Sequence, residues 1–195
     1  MRRRRVCYIN GIPYLVQLPS GGYMPNSFQN QWDQLIDCLD QQDKALNSVY
    51  WKDIYSWCRE KNDQSICVVR GNSSPIFWNS YSANIRKKII GFRPAFIPLN
   101  PITLQRDPSV LEELSDGQCV SFGSFYLDKK IMRPPQKPTR EGDIPDYIPG
   151  ADISFGSLKS DYGFKAIKVN GWLIADRVLI KNISWNDLKV LGYVN

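Results

Sequence analysis

Five cysteines, nineteen carboxylates and no histidine set the chemistry this chain can perform with its own side chains. Without histidine the usual general base and metal ligand are missing, and so are the Ser/His and Cys/His nucleophile pairs. Cys7, Cys38, Cys58, Cys67 and Cys119 are scattered and form no C-x-x-C pair, which removes support for a zinc ribbon or a thioredoxin-type site. Isolated cysteines most often behave as small buried hydrophobes with reduced thiols. Asp143, Asp146 and Asp152 lie on a Pro/Gly-rich stretch but lack the spacing of a calcium loop. Ser20-Gly21-Gly22 lacks the Lys-Ser/Thr ending of a phosphate-binding loop. No acid–base pair stands out among the carboxylates. The expectation is no catalytic residue, no metal and no cofactor.

The side chains that favour contact are concentrated elsewhere. Val68-Val69-Arg70-Gly71 is followed about twenty residues later by Gly91-Phe92-Arg93-Pro94. Between them runs a segment rich in Trp, Tyr, Ser and Asn, the composition of binding surfaces. Large aromatic side chains give contact area at low entropic cost, and the small polar ones supply adaptable hydrogen bonds.

Elements that could hold this segment follow from local signals. Asn10-Gly11 and Asn170-Gly171 each sit between strand-like phrases, the strongest short hairpin signal. Trp32, Leu35, Ile36 and Leu39 fall at helical spacing, predicting a helix over 30–41 capped by Ser27 or Asn30. A second helix is predicted from Val49 to about Lys61, burying Trp51, Ile54, Tyr55 and Cys58. Residues 66–70, 89–97 and 120–127 read as strands, and 107–114 as a short helix. Three prolines in the basic run Arg133–Arg140 predict a stiff, exposed connector. Ser184 followed three residues on by Asp187, with Gly192 beyond, predicts a capped terminal helix.

The frame around the segment resembles a known signature. Val-Arg-Gly at 69–71, a downstream Arg86 and Gly91-Phe92-Arg93 look like the sulfatase-modifying-factor branch of the C-type-lectin-like fold. That branch holds formylglycine-generating enzymes and the variable ligand-binding proteins of diversity-generating retroelements. The likeness spans 6–98 and is specific from Tyr50 onward. It implies an α+β class: a C-type-lectin-like domain over 1–98 with two helices and short antiparallel strands. A mainly β extension over 99–195 would carry a hairpin and a short terminal helix, either continuing the first sheet or forming its own lobe. Gly71, Gly91 and Phe92 become fold markers, and Arg70 and Arg93 structural arginines held by carbonyls and carboxylates near the core.

The copper-binding cysteine pair of the enzymes has no counterpart near the Gly-Phe-Arg strand, which leaves a binding role. By position, the ligand surface would use Asn72, Ser73, Ser74, Phe77, Trp78, Asn79, Ser80, Tyr81, Asn84 and Arg86. The alternative packs Phe77 and Trp78 inward. The resemblance implies a phage or mobile-element protein with a protein or glycan ligand, acting in a bacterial cytoplasm or carried on a phage particle. A second expectation is an inhibitor of a bacterial nuclease defence, of the anti-CRISPR type, binding the nuclease or its guide nucleic acid. Net charge is +6, and Arg2, Arg3, Arg4, Arg5, Lys87 and Lys88 are its candidate contacts. No run approaches the roughly 20 apolar residues of a membrane span. The Arg2–Arg5 start is not followed by the apolar stretch of a secretion signal.

Overall fold

The computed structural model describes residues 4–22, 30–41, 50–99 and 114–194. The first hairpin forms as its turn residues dictate. Strand β1 (Val6–Ile9) pairs with β2 (Ile12–Gln17), Ile9 opposite Ile12. Asn10 (φ 52°) and Gly11 (φ 80°) supply the two left-handed residues the turn needs. The second hairpin, β11 (Gly163–Val169) and β12 (Trp172–Ala175), turns the same way on Asn170 and Gly171.

The remaining strands of this sheet are β7 (Ala95–Pro98), β8 (Cys119–Leu127), β9 (Lys130–Met132) and β10 (Ile153–Ser157). Their order is β1-β2-β7-β12-β11-β8-β10, with β9 beside β8. The sheet curls until its outer strands meet. The Asn10 amide donates to Ser157 Oγ at 2.9 Å, and Arg5 donates to Asp152 at 2.6 Å and to the Ile153 carbonyl at 2.8 Å. The hollow is filled by aromatic rings. Phe96 stacks on Phe164 at 5.5 Å and meets Phe155 edge-on at 5.2 Å, while Tyr14 meets Phe122 at 5.1 Å. Such pairs contribute about 0.5–1.5 kcal/mol each beyond the area they bury.

A second sheet has the order β13-β6-β3-β4-β5: β3 (Tyr55–Lys61), β4 (Ile66–Gly71), β5 (Trp78–Ser82), β6 (Ile90–Phe92) and β13 (Ile180–Lys181). Here the sequence expectation fails. The helix predicted over 49–61 is strand β3, antiparallel to β4 and parallel to β6. Asp53 has φ 60°, which ends any right-handed helix just before the apolar run. Residues 54–58 are all buried, so the run has no solvent face to fix its period. Trp51, expected in that helix's core, lies outside β3 and is only half-buried.

The single strand predicted over 89–97 is two. β6 belongs to the second sheet and β7 to the first, and Arg93-Pro94 crosses between them. Pro94 has no amide to continue a ladder. Strands from both sides of residue 98 share both sheets: β12 pairs with β7, and β13 with β6. The 99–195 half therefore continues the first half's sheets. The result is an α+β protein, rich in strand, with curled and mostly antiparallel sheets.

Two helices occur among the described residues. In α1 (Gln31–Gln41), Trp32, Leu35 and Leu39 are buried and Ile36 is half-buried. Asn30 Oδ1 accepts the Asp33 amide at 2.8 Å and caps it, while Ser27 lies outside the described residues. Leu35 and Leu39 pack with Ala95, Ile167, Val169 and Ile174. In α2 (Trp185–Val190) Ser184 and Asp187 form the capping box. The helix expected over 107–114 lies outside the described residues except for its last residue. The 133–140 run is not a free connector. Pro135 and Pro138 are buried, the Pro135 carbonyl accepts from Arg177, and the Asp143 carboxylate accepts the Gln136 and Lys137 amides at 2.7 Å each.

Candidate binding face

Two fully buried arginines fix the floor beneath the face. Arg70, on β4, donates to Asp33 at 2.6 Å and to the Gly21 carbonyl at 2.5 Å. Arg93, at the crossing between sheets, donates to Ser56 Oγ at 3.0 Å, to the Ala175 carbonyl at 3.1 Å and to the Tyr50 carbonyl. Both guanidiniums lie against the Trp32 ring, at 5.9 and 5.3 Å from its centroid. The Trp32 indole donates to the Pro75 carbonyl at 2.7 Å, so α1 is tied directly to the start of the 72–88 segment. Burial pulls Arg93 down to about 10, which leaves it charged at neutral pH.

Residues 72–88 are not one loop, because β5 occupies their middle. The Gly71 amide bonds the Phe77 carbonyl and the Ala83 amide bonds the Ser65 carbonyl. In the register Val69↔Asn79 and Cys67↔Tyr81, the inward-bonded residues are therefore Phe77, Asn79, Tyr81 and Ala83. The amides and carbonyls of Trp78, Ser80 and Ser82 point off the sheet. Asn79 Oδ1 covers the Ser80 amide at 2.8 Å, and the Ser82 carbonyl accepts the Ile85 amide. β1 meets β10, and β13 is flanked by Asp146, with Tyr147 and Pro145 bonding Lys181. β5 pairs with β4 alone among the described strands, and the first sheet's end strands β1 and β10 meet through side-chain bonds without a ladder.

One side of β5 carries an aromatic shelf. Tyr55 lies 6.2 Å from Phe77 and 5.8 Å from Tyr81, and Lys87 Nζ sits 4.9 Å over the Tyr81 ring. Phe77 is 40% exposed and Ile76 52%, while Trp78, Asn79, Ser80 and Tyr81 are half-buried. Burial and the neighbouring Tyr55 raise the Tyr81 phenol above its usual range. Ser73 and Asn84 are exposed, and Asn84 pairs with Ser82 Oγ at 2.7 Å. Ser74 gives its carbonyl to the Phe77 amide. Asn72, at φ 75°, spends its backbone on Trp51 and Asp53, so it shapes the turn.

Several expected contacts have other occupations. Arg86 grips Asp187 of α2 with two bonds of 2.8 and 2.7 Å, clamping the segment to the helix. Arg5 is held by Asp152, and its carbonyl accepts the Val16 amide. Arg4 and Lys88 are exposed, Lys87 covers Tyr81, and Arg2 and Arg3 lie outside the described residues. Ile76 and Tyr55 were missed by sequence reasoning. The Phe77-x-Asn79-x-Tyr81 alternation is the signal that could have revealed a strand here.

Cys58 and Cys67 are fully buried, and desolvation pushes the Cys67 thiol up to about 12 and the Cys58 thiol well above its ordinary range. Among the described residues no three Cys, Asp or Glu side chains gather as a metal-binding group, and no helix is long and apolar enough to cross a membrane. No family model, curated protein or solved structure matches this chain. Fold and face define an α+β protein of two curled sheets with one open strand edge beside an aromatic shelf.

Proposed function

We propose that this is a non-catalytic recognition protein that captures a macromolecular ligand on the 72–88 face. The supporting observation is the open edge of β5 flanked by Ile76, Phe77 and Tyr81. An exposed edge offers main-chain hydrogen bonds to an extended segment, and alternate side chains give selectivity. That favours a protein ligand over a glycan. On this reading the buried arginines and the Gly91-Phe92-Arg93 crossing serve as the rigid frame of a C-type-lectin-like relative, of phage or mobile-element origin.

The test is capture from a bacterial host extract on immobilised protein, with bound species identified by mass spectrometry. Phe77→Ala with Tyr81→Ala, and separately Trp78→Ala, should remove the captured species while Tm falls by less than about 5 °C. Equal capture by wild type and both variants would refute the assignment, and so would a loss of folding that matches the loss of capture.

A further inference from the structure

A groove of about 810 Å³ runs between the end of α2 and the start of β1. Arg4, Arg5 and Lys189 line it together with Val6, Val190 and Leu191, and among the described residues no carboxylate does. The cations are differently committed. Arg5 is fixed by Asp152 and the Ile153 carbonyl, with its guanidinium 5.7 Å over the Tyr193 ring. Lys189 Nζ lies 5.5 Å from the Trp185 ring centroid, and Lys61 Nζ lies 5.3 Å from it. Arg4 is exposed and has no acceptor among the described residues. Arg5 is thus already neutralised by Asp152, and Arg4 and Lys189 are the lining cations that would draw an anionic group.

The floor narrows the choice of anion. Val190 is 88% exposed and Val6 42%, and both face the same concavity as Leu191. Single exposed aliphatics are ordinary, but aliphatic side chains gathered in a cationic groove are suited to an apolar partner group. A nucleic-acid strand would find no aromatic ring in the groove to stack on. Its phosphates would leave the valines uncovered. A peptide with an aliphatic side chain between carboxylates satisfies both features. We propose that the β1–α2 groove binds an acidic peptide segment of a partner protein, seating an aliphatic side chain between Val6 and Val190 with carboxylates facing Arg4 and Lys189. The groove shares α2 with the 72–88 segment through the Asn186–Ala83 and Arg86–Asp187 bonds, but none of its lining residues belongs to that segment, and it stands whether or not the β5 face binds.

The experiment is fluorescence anisotropy of the full chain with a labelled peptide of about twelve residues built from Glu-Leu-Glu-Ser repeats. Controls replace every Glu with Gln or every Leu with Ser, and a labelled oligothymidylate of equal length is run alongside. The Glu/Leu probe should bind at least about tenfold more tightly than either control peptide, and more weakly as salt rises. Arg4→Glu with Lys189→Glu should remove that advantage, Val190→Ser should weaken binding by roughly threefold or more, and Tyr81→Ala should change nothing. Val190 is so exposed that its variant keeps the fold, which circular dichroism verifies. Equal affinity for all three peptides, no saturable binding up to about 1 mM, or tighter binding of oligothymidylate than of the Glu/Leu probe would each overturn the proposal.

Discussion

Replacing Arg93 with Met keeps most of the side-chain volume and removes every donor, so its cost can be worked from the bonds lost. Arg93 is fully buried and joins three separate places: Ser56 on β3, Ala175 on β12 and the Tyr50 carbonyl. The Ser56 hydroxyl can turn to another acceptor, but the buried Ala175 carbonyl loses this donor at about 1–3 kcal/mol and the part-buried Tyr50 carbonyl at the lower end of that range. Contact with the Trp32 ring adds roughly 1 kcal/mol. Relief of the guanidinium's desolvation, the cause of its lowered pKa, returns part of this. The net loss expected is about 2–4 kcal/mol, a large share of the roughly 5–15 kcal/mol that holds a protein folded. At about 2–4 °C per kcal/mol for a chain of this size, Tm should fall by roughly 5–15 °C. Arg86→Ala is the control, because that pair is 41% exposed on the arginine side and such pairs contribute about 0–1 kcal/mol. Thermal melts and urea titrations of both variants decide the matter. An Arg93→Met protein within about 1 kcal/mol of wild type, or one no less stable than Arg86→Ala, would refute the structural role of this side chain.

Two glycines should respond for different reasons. A Cβ on Gly91 would stand 2.4 Å from the Ile180 carbonyl oxygen and 2.2 Å from Val178 Cγ1, so Gly91→Ala should abolish soluble expression. Gly171→Ala meets nothing within 4 Å and strains only its φ of +85°, so it should lower stability by about 1 kcal/mol. Similar urea midpoints for the two variants would contradict this. Asp187 gives a pH prediction. Burial opposes its charge, but hydrogen bonds from Arg86 and Ser184 outweigh that and hold its pKa below the ordinary carboxylate range. A carboxylate depressed in the fold contributes fully above its unfolded value of about 3.9, and that contribution disappears as pH falls through the folded value. Wild type should therefore lose stability faster than Asp187→Asn below about pH 4. Parallel urea-midpoint curves through that range would show that Asp187 is not the source.

The sequence by itself determined the features whose causes are local. Asn10-Gly11 and Asn170-Gly171 make hairpins because both residues accept positive φ, and the register follows from the turn. The Trp32-Leu35-Leu39 stripe makes α1, and Ser184 with Asp187 starts α2, because spacing and capping are completed within a few residues. The contact-rich composition of 72–88 was legible too, though the strand inside it was not.

Tertiary structure alone decided what depends on partners far along the chain. Trp51, Ile54, Tyr55 and Cys58 hold helix-like spacing, yet 55–61 become a strand because β4 and β6 take up backbone bonds on its two sides. The run from Ile89 to Ile97 reads as one strand, and only the separate demands of β13 and β2 reveal that it serves two sheets. Arg86 read as a ligand contact until Asp187, about a hundred residues on, was seen to hold it. Turns and caps are satisfied by neighbours in sequence, whereas a strand's amides and a buried guanidinium are satisfied by whichever distant segment the fold brings alongside.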